Sequence, residues 1–322
     1  MMVFLCVHLR SVMIKKNKLK LAFLCLFTFF AFRCAHQSSD AKQFEDIISK
    51  AVLETASDES NDSDFFESVD DLTILRSYQV QEQINWYLGY DYAGTVAAFE
   101  RSQKYIPAID NIFNKEKDIP FELIYLPLLE SGFSPVAVSK SNAKGLWQFV
   151  SVTAEELDLM DDTYVDERND IRKSTKAAVR HLKYLYSVFK NWEFALAAYN
   201  GGAGYVRSII SKNPGMNYWQ LAEANKFKRE TALYVPRFAA LLIIQKHIKT
   251  TSIYSKLSDT KIDFMKVTIE TPATVSGVSK SFGISEKKIR EFNPQLKGNV
   301  IPPYYKTYSL LIPHSERIAM LK

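Results

Sequence analysis

The chain has 322 residues, 47% of them apolar and 24% charged, with 41 basic against 36 acidic side chains. The basic excess is confined to the first 34 residues, which hold six basic side chains and no acid; the remainder carries 35 basic against 36 acidic, so there is no charge case for a nucleic-acid partner, which needs a dense basic face. Cys6, Cys25 and Cys34 all fall within that opening segment, which excludes a disulfide framework or a thiolate metal site in the rest.

Taken in chain order, Met13 reads as the start of a signal peptide. Lys15, Lys16, Lys18 and Lys20 form a basic stretch ahead of the apolar run 21–32. Twelve residues are too few to span a bilayer, as expected of a secretory segment. Cys34 follows directly and is the candidate acylation site of a lipoprotein anchored to a membrane, although Ala31-Phe32-Arg33 departs from the small residue that normally precedes such a cysteine. An accidental cysteine in an uncleaved anchor is the alternative. Residues 35–71 are polar and acidic, with Ser57-Asp-Glu-Ser-Asn-Asp-Ser-Asp64 lacking any apolar side chain, and are expected to form a disordered tether, with a short helix over 44–53. Ordered structure is predicted from about residue 72 to 250. There Val80, Ile84, Tyr87 and Leu88 form a helical stripe that Phe99 to Phe113 continues.

The stretch Phe121-Glu-Leu-Ile-Tyr-Leu-Pro-Leu-Leu-Glu130 is apolar on nearly every side, which predicts a buried helix. Glu130 shares a face with Leu123, Leu126 and Pro127. A carboxyl held there is desolvated, its pKa rises, and it becomes a candidate general acid; a buried Glu neutralised by a structural partner is the plainer alternative. Ser131-Gly132 is expected to end the helix. Gly145-Leu-Trp-Gln148 follows, with Trp147 read as core. The acids of Tyr164-Val-Asp-Glu-Arg-Asn-Asp170 precede a helix and are read as caps and partners for Arg168 or Arg172. Thr175 to Phe189 is a strong amphipathic helix with His181, read as structural or surface, beside its apolar face. Trp192-Glu-Phe-Ala-Leu-Ala-Ala-Tyr-Asn-Gly-Gly-Ala-Gly204 reads as a helix of small residues stopped at Asn200 and the glycine pair. Arg229-Glu-Thr-Ala-Leu-Tyr-Val-Pro-Arg237 opens another. No metal, nucleotide or other cofactor is expected, since no His, Asp and Glu cluster has zinc spacing and no glycine-rich phosphate loop follows a strand.

Past residue 258 the periodicity changes. Phe264 to Glu270 alternates as a strand, 275–282 and 285–292 read as short helices, and 308–313 as a closing strand. The unit expected over 262–315 is a small α/β module.

Four segments, Glu130-Ser-Gly-Phe-Ser-Pro135, Gly145-Leu-Trp-Gln-Phe149, Ala197-Ala-Tyr-Asn-Gly-Gly202 and Thr231-Ala-Leu-Tyr-Val-Pro236, resemble in order and spacing the lytic transglycosylases of the lysozyme superfamily, of the membrane-bound murein transglycosylase D type. The resemblance covers about residues 80–245. It implies a mainly α fold, lysozyme-like over 72–250, and cleavage of peptidoglycan between N-acetylmuramic acid and N-acetylglucosamine. Glu130 would be acid and then base, with 1,6-anhydromuramyl ends as product. Tyr199 and Asn200 would line the cleft, Gln148 would bind an acetamido or hydroxyl group, Glu230 and Tyr234 would frame the opposite wall, and Ser131 would sit close to the carboxyl. Asn200 as a simple helix stop remains the alternative. Ser151 stands where the family more often has Pro. A hydrolytic relative on the same fold, and an inactive wall-binding scaffold, are the rival functions. The last fifty residues are similar to a LysM module, on Phe282-Gly-Ile-Ser285 and Ile289-Arg-Glu-Phe-Asn-Pro294. Glu270-Thr-Pro-Ala-Thr274 and Pro302-Pro-Tyr-Tyr305 depart from that pattern, which leaves sugar binding and a structural role equally open. The exported protein is expected in the periplasm or cell envelope.

Overall fold

The computed structural model describes residues 77–248, residue 257 and residues 264–313. The signal segment, Cys34, the acidic tether and the helix expected over 44–53 lie outside the described residues. The described part is mainly helical, with one small α/β unit at its carboxyl end.

Helix α1 (Tyr78–Asn85) passes through a single π turn, Trp86–Tyr90, into the long α2 (Tyr92–Phe113). The expected stripe is buried: Val80, Ile84, Leu88, Phe99, Ile109 and Phe113 are all shielded from solvent. After a 3-10 turn, Phe121–Tyr125, comes the short α3 (Leu126–Ser131) with Pro127 in its first turn, where a missing N–H costs nothing. The single apolar helix expected over 121–130 is therefore two helical pieces. Helix α4 (Ser151–Glu156), a 3-10 turn at Glu167–Asn169, α5 (Ile171–Phe189), α6 (Trp192–Gly201), α7 (Ala203–Lys212), α8 (Tyr218–Glu223) and α9 (Arg229–Lys246) complete the helical part. The helix buried on nearly every side is α9, where Tyr234, Val235 and Pro236, and every residue from Phe238 to Ile244, are buried. Ala195, Ala197 and Ala198 of α6 are also buried, and α6 packs on α5, α7 and α9 at once. Side chains this small let three helices approach a fourth.

Helix α5 starts four residues earlier than its apolar periodicity indicates, because Asp170 caps it by accepting the Arg172 and Lys173 N–H groups at 3.0 and 2.8 Å. Asn200 is not a helix stop: α6 runs through Gly201, and Gly202 at φ 90 ends it. Gly201 lets α9 approach closely there, since a Cβ would lie 3.0 Å from the Thr231 hydroxyl oxygen.

Strand β1 (Phe264–Glu270) pairs antiparallel with β2 (Thr307–Pro313), Val267 opposite Leu310. Helices α10 (Val275–Phe282) and α11 (Glu286–Phe292) lie between them in sequence, capped by Thr274 and Ser285. The strand, helix, helix, strand order is the one expected. Buried Asn293 ties α11 to β2: its Nδ2 donates to the Leu311 carbonyl at 2.6 Å and its Oδ1 accepts the Leu311 N–H at 2.9 Å.

This unit is seated against the helical part. Phe292 belongs to the main apolar core, in edge contact with Tyr105 (centroids 6.2 Å apart), and Lys104 pairs with Glu291. In the other direction, Val165, wholly buried, belongs to the small unit's core. It forms a bridge with Leu296, flanked by Asp166 N–H to Gln295 O and Lys297 N–H to Tyr164 O, each 2.9 Å. Tyr304, in the segment that departs from the LysM pattern, donates to Asp162 Oδ2 at 2.5 Å and stacks edge-on against Tyr164. Val165→Ala, which removes two methyl groups shared between the two units, is expected to cost about 1–3 kcal/mol. Urea denaturation should show one transition at a lower midpoint; an early transition confined to the small unit would contradict a shared core.

Candidate active site

Glu130 is the penultimate residue of α3. Gly132, left-handed at φ 56, ends that helix, and the Gly132 and Phe133 N–H groups both return to the Pro127 carbonyl. The carboxyl thus projects from a helix end into a cleft of about 470 Å³. Gln148, Tyr199, Asn200, Glu230 and Tyr234 line the same cleft. Residues up to 104 positions apart in sequence meet there, because α9 packs on both α3 and α6.

The Glu130 residue is partly accessible, but its carboxyl group sits at the packed floor of the cleft. Desolvation raises its pKa to about 7. The Tyr234 hydroxyl, which donates to Glu130 Oε1, opposes this rise, and the charge of nearby Glu230 adds to it. Burial and the adjacent carboxylate hold the Tyr234 and Tyr199 phenols well above their ordinary range, so both remain O–H donors.

The Gly145-Leu-Trp-Gln148 turn forms another wall, and its shape follows from one close approach. Gly145 sits at φ 79 with the Arg168 carbonyl so near that a Cβ would be 2.0 Å from its oxygen. The turn offers its carbonyls to neighbouring elements: Ser131 Oγ donates to Leu146 O at 2.9 Å and Tyr199 Oη to Trp147 O at 2.8 Å. Gln148, at φ 51, donates through Nε2 to Gly145 O at 2.8 Å, which fixes its amide. Trp147 is buried, stacked on Phe113 with its Nε1 donating to Thr175, and is core rather than a sugar platform. Ser131 does not line the cleft; its hydroxyl braces the turn against α3 and does not bond the carboxyl.

On the opposite rim, Asn200 accepts from the Thr231 hydroxyl at 2.9 Å and donates to exposed Glu230 at 3.5 Å. The acids of 161–170 are structural partners. Buried Asp166 takes charged hydrogen bonds from Arg168 and Lys144, which outweigh the cost of burial and lower its pKa. Arg168 also reaches Asp161 at 2.9 Å and the Ser151 hydroxyl at 3.0 Å, so Ser151, in place of the family's usual proline, gains a buried partner. Among the described residues no group of His, Cys, Asp and Glu could hold a metal ion.

Residues 108–222 match the family described as Transglycosylase SLT domain, and residues 263–320 match the one described as Lytic transglycosylase MltD, LysM-like domain. The chain carries an SLT domain followed by a LysM-like domain. Membrane-bound lytic murein transglycosylase D of Escherichia coli strain K12 is 32% identical over 192 residues, 58% of this chain and 42% of that protein. Membrane-bound lytic murein transglycosylase F of Desulfosudis oleivorans is 34% identical over 146 residues, 41% of this chain and 31% of that one. The chain thus spans less than half the length of these relatives. The crystal structure of the 70 kDa soluble lytic transglycosylase of Escherichia coli aligns at 19% identity and a TM-score of 0.40, over 57% of this chain and 31% of that one.

The SLT match holds Glu130, Gln148, Tyr199 and Asn200, while Glu230 and Tyr234 lie beyond it on α9. Sequence reading left out several lining residues. His181 reaches the cleft from α5, packed edge-on against Phe149 and Tyr199, with burial lowering its pKa. Its place beside an apolar helical face is the signal, but periodicity could not say that the face borders a cavity. Ser139 and Ser141, in the loop before the Gly145 turn, also line the cleft and had no signal.

The carboxyl's raised pKa has a thermodynamic consequence. The folded protein keeps the Glu130 proton where the unfolded chain, at the ordinary 4.5, has released it. This group's contribution to stability is therefore full below about pH 4.5 and is lost as pH rises through about 7. Glu130→Gln lacks that loss. It should become progressively more stable than the wild type between pH 4.5 and 7, by roughly 3 kcal/mol at most. Urea midpoints measured across that range test this; parallel curves would mean the carboxyl is not desolvated.

Proposed function

We propose that the protein cleaves peptidoglycan glycan strands between N-acetylmuramic acid and N-acetylglucosamine, with Glu130 as the sole acid and base. The observation that carries this reading is a desolvated carboxyl, poised near pH 7 at the floor of a cleft lined with amide and phenol groups suited to sugars. Protonated Glu130 donates its proton to the glycosidic oxygen as the C1–O bond of the muramyl residue breaks. The carboxylate then takes the proton of the muramyl C6 hydroxyl as its oxygen bonds to C1. The product is a 1,6-anhydro ring, no water is consumed, and Glu130 ends protonated as it began. The Tyr234 hydrogen bond to Oε1 leaves the other carboxyl oxygen to handle the proton. Asn200, Gln148, Tyr199 and Glu230 are read as substrate contacts, and Ser131 as a brace that positions the loop.

A second reading rests on Glu230, which lines the same cleft and is a second carboxylate within electrostatic reach of Glu130. With Glu230 activating water, the enzyme would be a hydrolase of the two-carboxylate kind. Mass spectrometry of products released from sacculi separates the two. Anhydromuramyl ends that vanish in Glu130→Gln are expected, and products one water heavier would establish the hydrolase. Glu230→Gln should keep turnover within about tenfold, whereas loss of a general base costs about 100- to 10,000-fold.

The pH profile supplies a further test. Turnover per encounter, kcat/KM, should fall above about pH 7 as Glu130 loses its proton. Tyr234→Phe removes the bond that lowers this pKa and should move the limb upward. Glu230→Gln removes the charge that raises it and should move the limb downward by a smaller, salt-sensitive amount. Shifts in the same direction would contradict the assignment.

The names of the relatives and the basic and apolar segment ending at Cys34 support export to the cell envelope, with acylation of Cys34 as the anchor. No described helix is long and apolar enough to cross a membrane.

A further inference from the structure

Besides the cleft and a cavity of about 390 Å³ behind Leu129, the described residues form a groove of about 460 Å³ between the end of α2 and one face of α5. Arg172, Lys176, Arg180 and Lys183 recur along α5 at spacings of four, four and three, and so share one stripe of the helix. Lys115, just past the end of α2, is the fifth cation, and Glu116 is the one acid in the lining. None of these residues lines the cleft, although His181 of the same helix does.

The acid is already taken. Lys183 Nζ donates to the Glu116 carboxylate at 2.6 Å and lies 3.7 Å from Asp118. Arg180 spends one Nη on the Leu157 carbonyl at 2.6 Å. Among the described residues the side chains of Lys115, Arg172 and Lys176 have no hydrogen-bonded or charged partner, and Arg172 is half-buried. A recess lined by five cations and one acid concentrates a positive potential that draws in an anionic chain.

The protein carries a chain of that kind. The near balance of charge past residue 34 joins two unlike parts: residues 35–71 carry 11 acids against two lysines, and residues 72–322 carry 33 basic against 25 acidic side chains. In the first part Asp58, Glu59, Asp62 and Asp64 fall within seven residues that hold no base, which matches the groove's excess of four cations. Asp58 lies 19 residues before Ser77, and an extended chain of that length spans about 63–68 Å. The helical path of 38 residues from Ser77 to Lys115 covers at most about 57 Å, so the acidic run reaches the groove. We propose that the groove between α2 and α5 is the docking site of the chain's own acidic segment, residues 58–64. Single exposed ion pairs are weak, but segment and groove belong to one chain, at an effective concentration on the order of millimolar, and several pairs act together. The docked segment leaves the cleft open and shortens the spacer ahead of the SLT domain until salt or a competing anionic surface releases it. Nothing in this docking depends on the chemistry at Glu130.

Zero-length carbodiimide cross-linking of the full chain, read by peptide mass spectrometry, tests this, because it joins carboxylates only to amines they touch. Bonds from the carboxylates of residues 58–64 are expected at Lys115 and Lys176, at least about tenfold more often than at Lys212 or Lys287, which are exposed elsewhere. They should fade to that background in about 0.5 M salt. Arg172→Gln leaves both amines in place and should lower their cross-links about threefold. Should that variant fail to fold, Lys176→Gln, at an exposed residue, should lower the yield at Lys115 by a similar factor. Cross-links spread evenly over exposed lysines, or a yield unchanged by salt and by these variants, would overturn the docking. So would binding of the full chain to phosphatidylglycerol vesicles that Lys115→Gln and Lys176→Gln together abolish while no such cross-link forms; the groove would then serve an anionic membrane.

Discussion

The structure turns on keeping one carboxyl away from water while leaving it open to a cleft. Glu130 achieves this near the end of a short helix whose first three residues, Leu126, Pro127 and Leu128, are buried. A helix so short has little stability of its own. Its position depends on the contacts around it: Ser131 on the Leu146 carbonyl, Arg101 on the Gly132 carbonyl, and Tyr234 on the carboxyl itself. Desolvation and the tyrosine hydroxyl act in opposite directions on the proton, and desolvation is the larger. The acid is thereby set near neutrality rather than locked in either charge state.

The same support extends outward through the 161–170 segment. Arg168 presses its carbonyl against Gly145, its guanidinium joins Asp161, Asp166 and the Ser151 hydroxyl, and Lys144 closes the group on Asp166. Breaking such a buried group from one side leaves an uncompensated charge, so the turn bearing Gln148 and the segment behind it hold one another in place. The far side of that segment carries Val165 into the core of the LysM-like domain, and Tyr164 and Asp162 meet Tyr304. The residues by which this module departs from the LysM pattern are in part those that contact the SLT domain. Tyr304 and Tyr305 of those residues meet Asp162, Tyr164 and Lys173, so the module adjoins the segment that supports the cleft wall.

The two cavities on either side of Leu129 differ in the groups that line them. The cleft gathers amide, phenol and hydroxyl groups, with Glu230 and Arg237 among them, around the Glu130 carboxyl. The space behind it is lined by the guanidiniums of Arg101 and Arg237 and the carboxylate of Asp91. Arg237 stands between them on α9, one turn from Tyr234, so a single helix supplies the group that tunes the acid and a charge facing the second space.

The sequence by itself determined the periodic elements and singled out Glu130 as the candidate acid. Apolar spacing marked α1, α2, α5 and the strand, helix, helix, strand order of the last fifty residues, because burial of one face is written locally, residue by residue. Glu130 stood out because a carboxyl in an apolar run is costly wherever that run folds. Only the tertiary structure decided the rest. Gly202 rather than Asn200 ends α6, and α9 rather than the segment before Glu130 is the central buried helix, because the elements that cover it come from distant parts of the chain. The Ser131 hydroxyl braces the Leu146 turn, and His181, read as structural or surface, reaches the cleft. The docking of the LysM-like domain and the guanidiniums behind Leu129 had no local signature at all. Both depend on residues more than a hundred positions apart, and one-dimensional periodicity records which face of an element is buried but not what it is buried against.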